Sequence, residues 1–505
     1  MLIKVFAVLV CMLFWSHVHT QSHFSTMNDN GLLFRINNDG TLFNAEKKPF
    51  FSYDTSLNNH FFNSVGIWIA AKDQKDSIYV AVSMYNEGKQ EFWPGPIDTI
   101  SGIADDTSYW NKVWYLNKET IDKHKFNFKN PDYEVPKYIE TWPGSNQRAG
   151  SYNSILAPFV DLNANRKYEP ELGEFPFITG ENMSYLILND KYSGHQVSSA
   201  NSLGIELYAQ LFTLKGMANT VFAQYRLVNR FTTTYDSLFF GIFSDFELGN
   251  RNDNYTATDQ NLNMIYGYNG YDTDQGNGGF GDKLPTAAVV FLNHNLYASM
   301  TFNNSNAPYG RPEKPSDFYN YLKAYWKDNT PLLDQLNGYG SGNKTRYIFS
   351  GDPCSGQGWT EPGELMLPGE RTMTGSVGPF TLAKGGSIRV DLAFLVGTAP
   401  KSASNSVCSL KTTAVEVRQF WQNNLSGLQS KEAAIQKLLF YPNPLGNELI
   451  QFNLPITEND TLFIQHSSGV KKRISVSEIS HAPSGFYVLE MYKDGRLYRG
   501  KLIKQ

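Results

Sequence analysis

Charge is scarce in this chain. Asp, Glu, Lys and Arg make up 18% of its 505 residues, against about 25% in an average globular domain. That shortage excludes wholesale disorder and the charge-laced faces of a coiled coil. Basic excess is absent too: 44 Lys and Arg against 48 Asp and Glu leave a net charge of −4, so nothing in the balance points to nucleic acid. Cysteine is rarer still, with three in all. Beyond residue 20 only Cys354 and Cys408 remain, and neither has a second Cys or a His at zinc-ligand spacing. No later apolar run approaches the about 20 residues of a membrane-spanning helix. There is no G-x-S-x-G, no H-E-x-x-H and no Walker loop. His23, His60, His124, His195, His294, His466 and His481 each stand alone, which is the usual condition of a surface or core histidine.

What the chain has is aromatic and turn-forming residues: 34 Phe, 29 Tyr, 9 Trp, 41 Gly and 23 Pro. Aromatics favour strands, and Gly and Pro punctuate them. Period-two alternation runs through Ser77–Tyr85, Thr220–Phe231 and Ser387–Val396. In the second, Val221, Ala223, Tyr225 and Leu227 face a core, with Gln224, Arg226 and Arg230 outward. In the third, Arg389 and Asp391 point outward. Ser237–Phe246 is apolar on both faces, as a central strand requires. Helices are few: a short one capped by Asn117, one or two turns within Pro315–Lys327, and Ser402–Asn424, where Val407, Leu410, Ala414, Val417 and Trp421 keep helical spacing. The fold class is therefore mainly β. A large β-sandwich body, one sandwich or two, covers 21–430, and a small immunoglobulin-like β-sandwich with its linker covers 431–505. In the tail, Ser467-Ser468-Gly469 and Asp494-Gly495 read as hairpin turns, and Leu425–Lys437 as a polar linker.

Met1–Thr20 combines a basic start at Lys4, an eleven-residue apolar run Val5–Trp15 and a polar exit. This is the pattern of a secretory signal peptide cleaved near Val18-His19-Thr20. The mature chain is expected to be soluble and exported. In an oxidising compartment Cys354 and Cys408 either pair or remain two buried thiols.

The tail carries a recognisable series. Phe440-Tyr441-Pro442-Asn443-Pro444 opens it and Ser468-Gly469 marks its middle turn. Pro483-Ser484-Gly485-Phe486-Tyr487-Val488 and Lys501-Leu502-Ile503-Lys504 close it. In that order, behind a signal peptide, these residues resemble the type A C-terminal sorting domain of proteins exported by the type IX secretion system of Bacteroidota. Phe486 stands where Ile or Val is commoner, and Gln505 extends the basic end. The resemblance implies delivery through the periplasm to the medium or the outer-membrane surface. It also implies that the outer-membrane secretion machinery is the partner of the tail. Phrases of the body, among them Asn30-Gly31-Leu32-Leu33-Phe34-Arg35, Phe92-Trp93-Pro94-Gly95-Pro96 and Ser244-Asp245-Phe246-Glu247-Leu248-Gly249, resemble uncharacterised exported proteins of the same bacteria. That likeness implies a shared fold and export route and adds no chemistry.

Two oxygen-rich segments are candidates for calcium. Asp161, Asn163 and Asn165 fall at positions 1, 3 and 5 of a loop, the start of an EF-hand-like pattern. Arg166 takes the place of its turn-forming Gly, and no Glu closes it at position 12. An Asx-rich turn that satisfies its own backbone is the alternative. Asp245 and Glu247 end the apolar strand, with Asp253 and Asp259 following in a polar loop, and a hard cation would compensate them. The alternative is a solvated loop of turn-capping carboxylates. Asp245 with Glu247 is also a candidate carboxylate pair for glycoside hydrolysis. Gly276–Asp282 is Gly-rich and reads as a loop. Trp93, Trp110, Trp114, Tyr115 and Trp142 are either a stacking platform for glycans or, as large aromatics usually are, core. The sequence thus points to an exported surface or secreted protein whose body binds a glycan or matrix component or builds structure. A secreted polysaccharide hydrolase, needing convergent carboxylates in a cleft, is the alternative.

Overall fold

The computed structural model describes residues 23–85, 87–145, 155–163, 165–400, 402–425, 435–437, 440–441, 451–452, 461–466, 471–479, 481–493 and 496–504. The expected signal peptide, most of the linker, and the turns Ser467-Ser468-Gly469 and Asp494-Gly495 lie outside the described residues. The chain divides into two compact units, Met1–Leu162 with Arg166–Ala414, and Asn163–Asn165 with Val415–Gln505.

The first unit is mainly β. Its widest sheet runs in the order Trp114–Asn117, Asn182–Asn189, Ile205–Thr213, Thr220–Asn229, Ser387–Pro400, Lys283–Phe291, Met264–Asn269 and Asn254–Asp259. Each neighbouring pair in it is antiparallel. A five-stranded antiparallel sheet, Ala298–Phe302, Arg371–Leu382, Tyr235–Phe246, Phe62–Asp73 and Ile78–Val82, packs against it. Ring contacts cross between the sheets: Tyr225 meets Phe240 at 5.4 Å and Phe394 meets Phe62 at 6.3 Å. The other face of the five-stranded sheet is covered as well. Trp68 stacks on Phe243 and Phe302, both at 5.9 Å, and meets Phe318 of the Pro315–Tyr321 helix edge-on at 4.9 Å. Two covered faces explain why the Tyr235–Phe246 strand is buried without a break from Leu238 to Phe246. In the adjoining strand Gly66 is obligatory, because a Cβ there would lie 2.0 Å from the Ser83 carbonyl oxygen.

The expected helices form, with local differences. Asn117 Oδ1 accepts from Thr120 N at 2.7 Å and caps Lys118–Asn127. Pro315–Tyr321 makes the expected two turns, and Ala324 adopts φ +60° just beyond it. Ser402 Oγ accepts from Asn405 N at 3.3 Å at the start of Ala403–Asn424. Two polar faces expected to be solvated are covered instead. Gln224 is buried and pairs with Gln210. Asp391 is buried against Arg389 at 2.6 Å, beneath a loop whose Asn293 Oδ1 accepts from Asp391 N. Trp93, Trp110, Trp114 and Trp142 are all core residues, so no stacking platform is built from them.

In the second unit Ile435–Lys437, Arg496–Lys504, Gly485–Lys493, Thr461–His466 and Lys471–Arg473 form one sheet, and Phe440–Tyr441 pairs with Gln451–Phe452. Its core gathers Leu462, Ile464, Ile474, Ile479, Tyr487, Leu489, Met491 and Leu502.

Cys354 and Cys408 form a disulfide that ties the helix beginning at Ala403 to a loop 54 residues earlier. Closing a loop of that length stabilises the fold by about 4 kcal/mol in the chain-entropy account. Reduction under native conditions should therefore lower the melting temperature by several degrees. A melting curve that stays put once thiol titration shows both cysteines free would mean that the cross-link contributes nothing.

Candidate functional site

The doubly buried strand ends in a carboxylate. Asp245 lies opposite Ser64 on one side of the ladder and Thr372 on the other. Strand alternation turns its side chain away from the flanking Ser244 and Phe246, and it is 2% exposed. Asn63 Nδ2 and Tyr85 Oη both donate to its Oδ2, at 2.8 and 2.9 Å. Burial pushes the Asp245 carboxyl up to about 7, opposed by those two hydrogen bonds and assisted by the negative charges of Glu370 and Glu247. Burial and the Asp245 charge together push the Tyr85 phenol above its ordinary range.

Asp245 and Tyr85 line a pocket of about 200 Å³. The rest of its wall is polar: the amides Asn44, Asn63 and Asn304, the cations Lys47, Arg251 and Arg311, and the carboxylates Glu87 and Glu370. Arg251 Nη2 pairs with Glu370 Oε1 at 2.5 Å at the rim, where both are half-exposed. Glu247 is raised by burial, countered by Arg251. The wall thus presents both signs of charge, fixed amides and one phenol at a single opening.

The four carboxylates expected as one calcium cluster are spread over separate places. Asp245 and Glu247 belong to the pocket neighbourhood. Asp253 sits apart with Asn250, Asn269 and Asp274. Asp259 faces Lys411 at 2.9 Å and accepts from Asn261 N and Leu262 N, as a turn-capping carboxylate does. In the other segment Arg166, at φ +64°, makes the sharp turn without Gly, and its N donates to Asp161 Oδ2 at 2.8 Å. Asn165 N donates to Asn163 Oδ1 at 3.0 Å, and buried Glu174 accepts from Leu162 N and Glu169 N. Among the described residues no three of His, Cys, Asp and Glu gather as a ligand set.

Sequence reading missed Asn63, Tyr85, Arg251 and Glu370 at the pocket. Tyr85 was at hand as the end of the alternating Ser77–Tyr85 run. Glu370 is brought in only by the pairing of the Arg371–Leu382 strand with the Tyr235–Phe246 strand, and no local pattern announces that.

No protein-family model matches the chain, and no curated protein matches it significantly. Among solved structures the chain is similar to the Slr1438 protein of Synechocystis sp. PCC 6803, at 7% identity and a TM-score of 0.23, over 75% of this chain and 97% of that one. It is also similar to an aldose 1-epimerase candidate from Escherichia coli K12, at 9% identity and a TM-score of 0.24, over 74% of this chain and 99% of that one. At these TM-scores neither likeness bears on activity.

The raised Asp245 carboxyl has a measurable consequence. Its folded value lies above the ordinary 3.8, so the unfolded state releases its proton first as pH rises. The cost to stability is absent below about pH 4, grows to about pH 7 and is constant above, on the order of 4 kcal/mol at full ionisation. Asp245→Asn keeps an acceptor for Asn63 and Tyr85 and carries no charge. It should melt higher than the wild type at pH 8, with the difference closing towards pH 4. A pH-independent difference would contradict an ionisable buried Asp245.

Proposed function

We propose that this is an exported protein whose body binds a hydroxyl-rich ligand, such as the terminal sugar of a glycan, in the Asp245 pocket. The observation that carries the reading is the density of fixed hydrogen-bonding groups around one small opening. Hydroxyls both donate and accept. Carboxylates, amides and guanidinium groups held on strands and tight loops match them without reorganising. At about 200 Å³ the pocket is smaller than the roughly 300–1,000 Å³ of drug-sized sites, so it suits one ring and not a chain. Screening the secreted protein against an oligosaccharide array tests the reading. Asn63→Ala and Glu370→Gln should each weaken the captured glycan by about tenfold, the loss of one buried hydrogen bond, charge-assisted at Glu370. An array without hits, or hits that both variants retain at full strength, would reject it.

One observation favours a second reading, hydrolysis of polysaccharide. A carboxyl near 7 is suited to donate a proton at neutral pH, and Glu370 and Glu247 supply a second carboxylate. A hydrolase would release reducing ends from the bound glycan, and Asp245→Asn would lower that release by a hundredfold or more. A binding module would release none in either form.

Delivery follows the type IX route. The tail acts as an address and is removed at the outer membrane. Support comes from the sorting-domain residues, from the separate core of the second unit, and from the Cys354–Cys408 disulfide, which suits an oxidising compartment. The mature protein should begin near Gln21 and end before Tyr441. Mass spectrometry of the extracellular protein should find no peptides from 470–505, and deleting them should trap the chain in the periplasm. Tail peptides at full stoichiometry outside the cell would contradict the processing.

A further inference from the structure

A second acidic centre lies beyond the pocket, where the Asn250–Asp253 turn meets the glycine-rich loop. Asp253 and Asp274 are 3% and 1% exposed. Asn250 bridges them: its N donates to Asp274 Oδ1 at 3.1 Å, and its Nδ2 to Asp253 Oδ2 at 3.3 Å. Asn269 Nδ2 donates to Asp253 Oδ1 at 3.1 Å, and Phe280 N to Asp274 Oδ2 at 2.7 Å. The glycines are there to let backbone crowd this carboxylate. A Cβ on Gly249, at φ +69°, would lie 2.0 Å from Asp274 Oδ2, and one on Gly279 would lie 3.1 Å from Oδ1. Among the described residues no Lys, Arg or His forms a salt bridge with either acid, and the neighbouring Arg251 turns to Glu370 instead.

A second, independent observation sits in the same cluster. Asn254 is fully buried, and its Oδ1 has no hydrogen-bond partner. It stands directly across the ladder from Asn269, so the two side chains share one face, and the Asn269 amide reaches Asp253. The Asn254 Nδ2 reaches the backbone oxygen of Asn250 at 3.4 Å, beneath the same turn. A buried carbonyl oxygen on the face from which Asn269 reaches Asp253 needs a donor or a cation.

We propose that Asp253, Asp274 and Asn254 Oδ1 hold a calcium ion between the Asn250–Asp253 turn and the glycine-rich loop. A proton shared by the two acids would leave the amide oxygen unpartnered, whereas a cation takes all three. Burial and, for Asp253, the charge of Asp274 push both carboxyls up, against the donors already on them, and a bound cation offsets that cost. An all-oxygen set from a strand start and two loops suits the irregular shell of calcium better than the strict octahedron of magnesium, with water completing it. The ion would pin the turn that carries Arg251 at the pocket rim. The site does not depend on the ligand of that pocket.

Calcium chloride titrated into chelator-stripped secreted protein, followed by calorimetry and melting, tests the site. One equivalent should bind, and a hundredfold excess over Kd should raise the melting temperature by about 2–4 °C. Asp274→Asn should weaken binding by more than about tenfold, while Asp259→Asn should leave it intact. Asn254→Asp adds a charge without changing shape and keeps the test open should Asp274→Asn not fold. Its stripped form should melt below the wild type's, and its calcium-induced rise should be larger. No calcium response in the wild type overturns the proposal. So does a wild-type response in Asp274→Asn, or an unaltered calcium-induced rise in Asn254→Asp.

Discussion

From Leu238 to Phe246 the strand Tyr235–Phe246 has no solvent face, and the architecture of the body follows from that. Its apolar side chains alternate between the wide sheet on one side and the layer of Trp68, Phe302 and Phe318 on the other. A strand so placed needs neighbours on both edges as well, because its N–H and C=O groups cannot reach water. Phe62–Asp73 and Arg371–Leu382 supply them along nearly its whole length. The register is fixed as a result, since a slip by one residue would exchange the two packed faces. It is this fixed register that brings Asn63, Asp245 and Glu370 from three distant stretches of sequence to one rim.

Much of this was legible beforehand, and the reason is local. A run apolar on both faces marks a central strand, and Ser237–Phe246 becomes one. Asn117 and Ser402 cap the helices they precede, because capping depends on residues only two or three positions apart. Disulfide pairing is not legible in the same way, since two cysteines fix no geometry until the chain brings them together. The solvated faces expected for Gln224 and Asp391 were misread for the same reason. Alternation reveals that a strand has two unlike faces, but not that a loop bearing Asn293 will cover the polar one.

The expected calcium ligands part company for a physical reason. Asp245, Glu247, Asp253 and Asp259 are neighbours in sequence, yet the strand end, the turn and the next strand send them to different surroundings. Asp259 finds Lys411, contributed by the helix beginning at Ala403. Asp253 finds Asp274, which precedes a glycine-rich stretch whose sequence shows only a loop. The glycines were the available signal, since backbone has to come close wherever a carboxylate is enclosed by a turn.

Several buried acids of the body are met by the protein's own cations and donors. Glu206 is held by Arg230 at 2.6 Å and Glu361 by Arg371 at 2.7 Å. Glu91 accepts from Val82 N and Val197 N at 2.8 Å each, with Ser198 and His195 beside it. In each of these the protein meets the charge from its own side chains and backbone, as a structural carboxylate requires. Asp245 and the Asp253–Asp274 pair are different. Asp245 has two neutral donors and faces further negative charge. The pair faces itself, beside an amide oxygen with no partner. None of these three acids has an Arg partner of the kind that holds Glu206 and Glu361, which leaves room for a partner from solution. At Asp245 the partner we propose is a proton or a hydrogen-bonding ligand at an open pocket, and between Asp253 and Asp274 a metal ion.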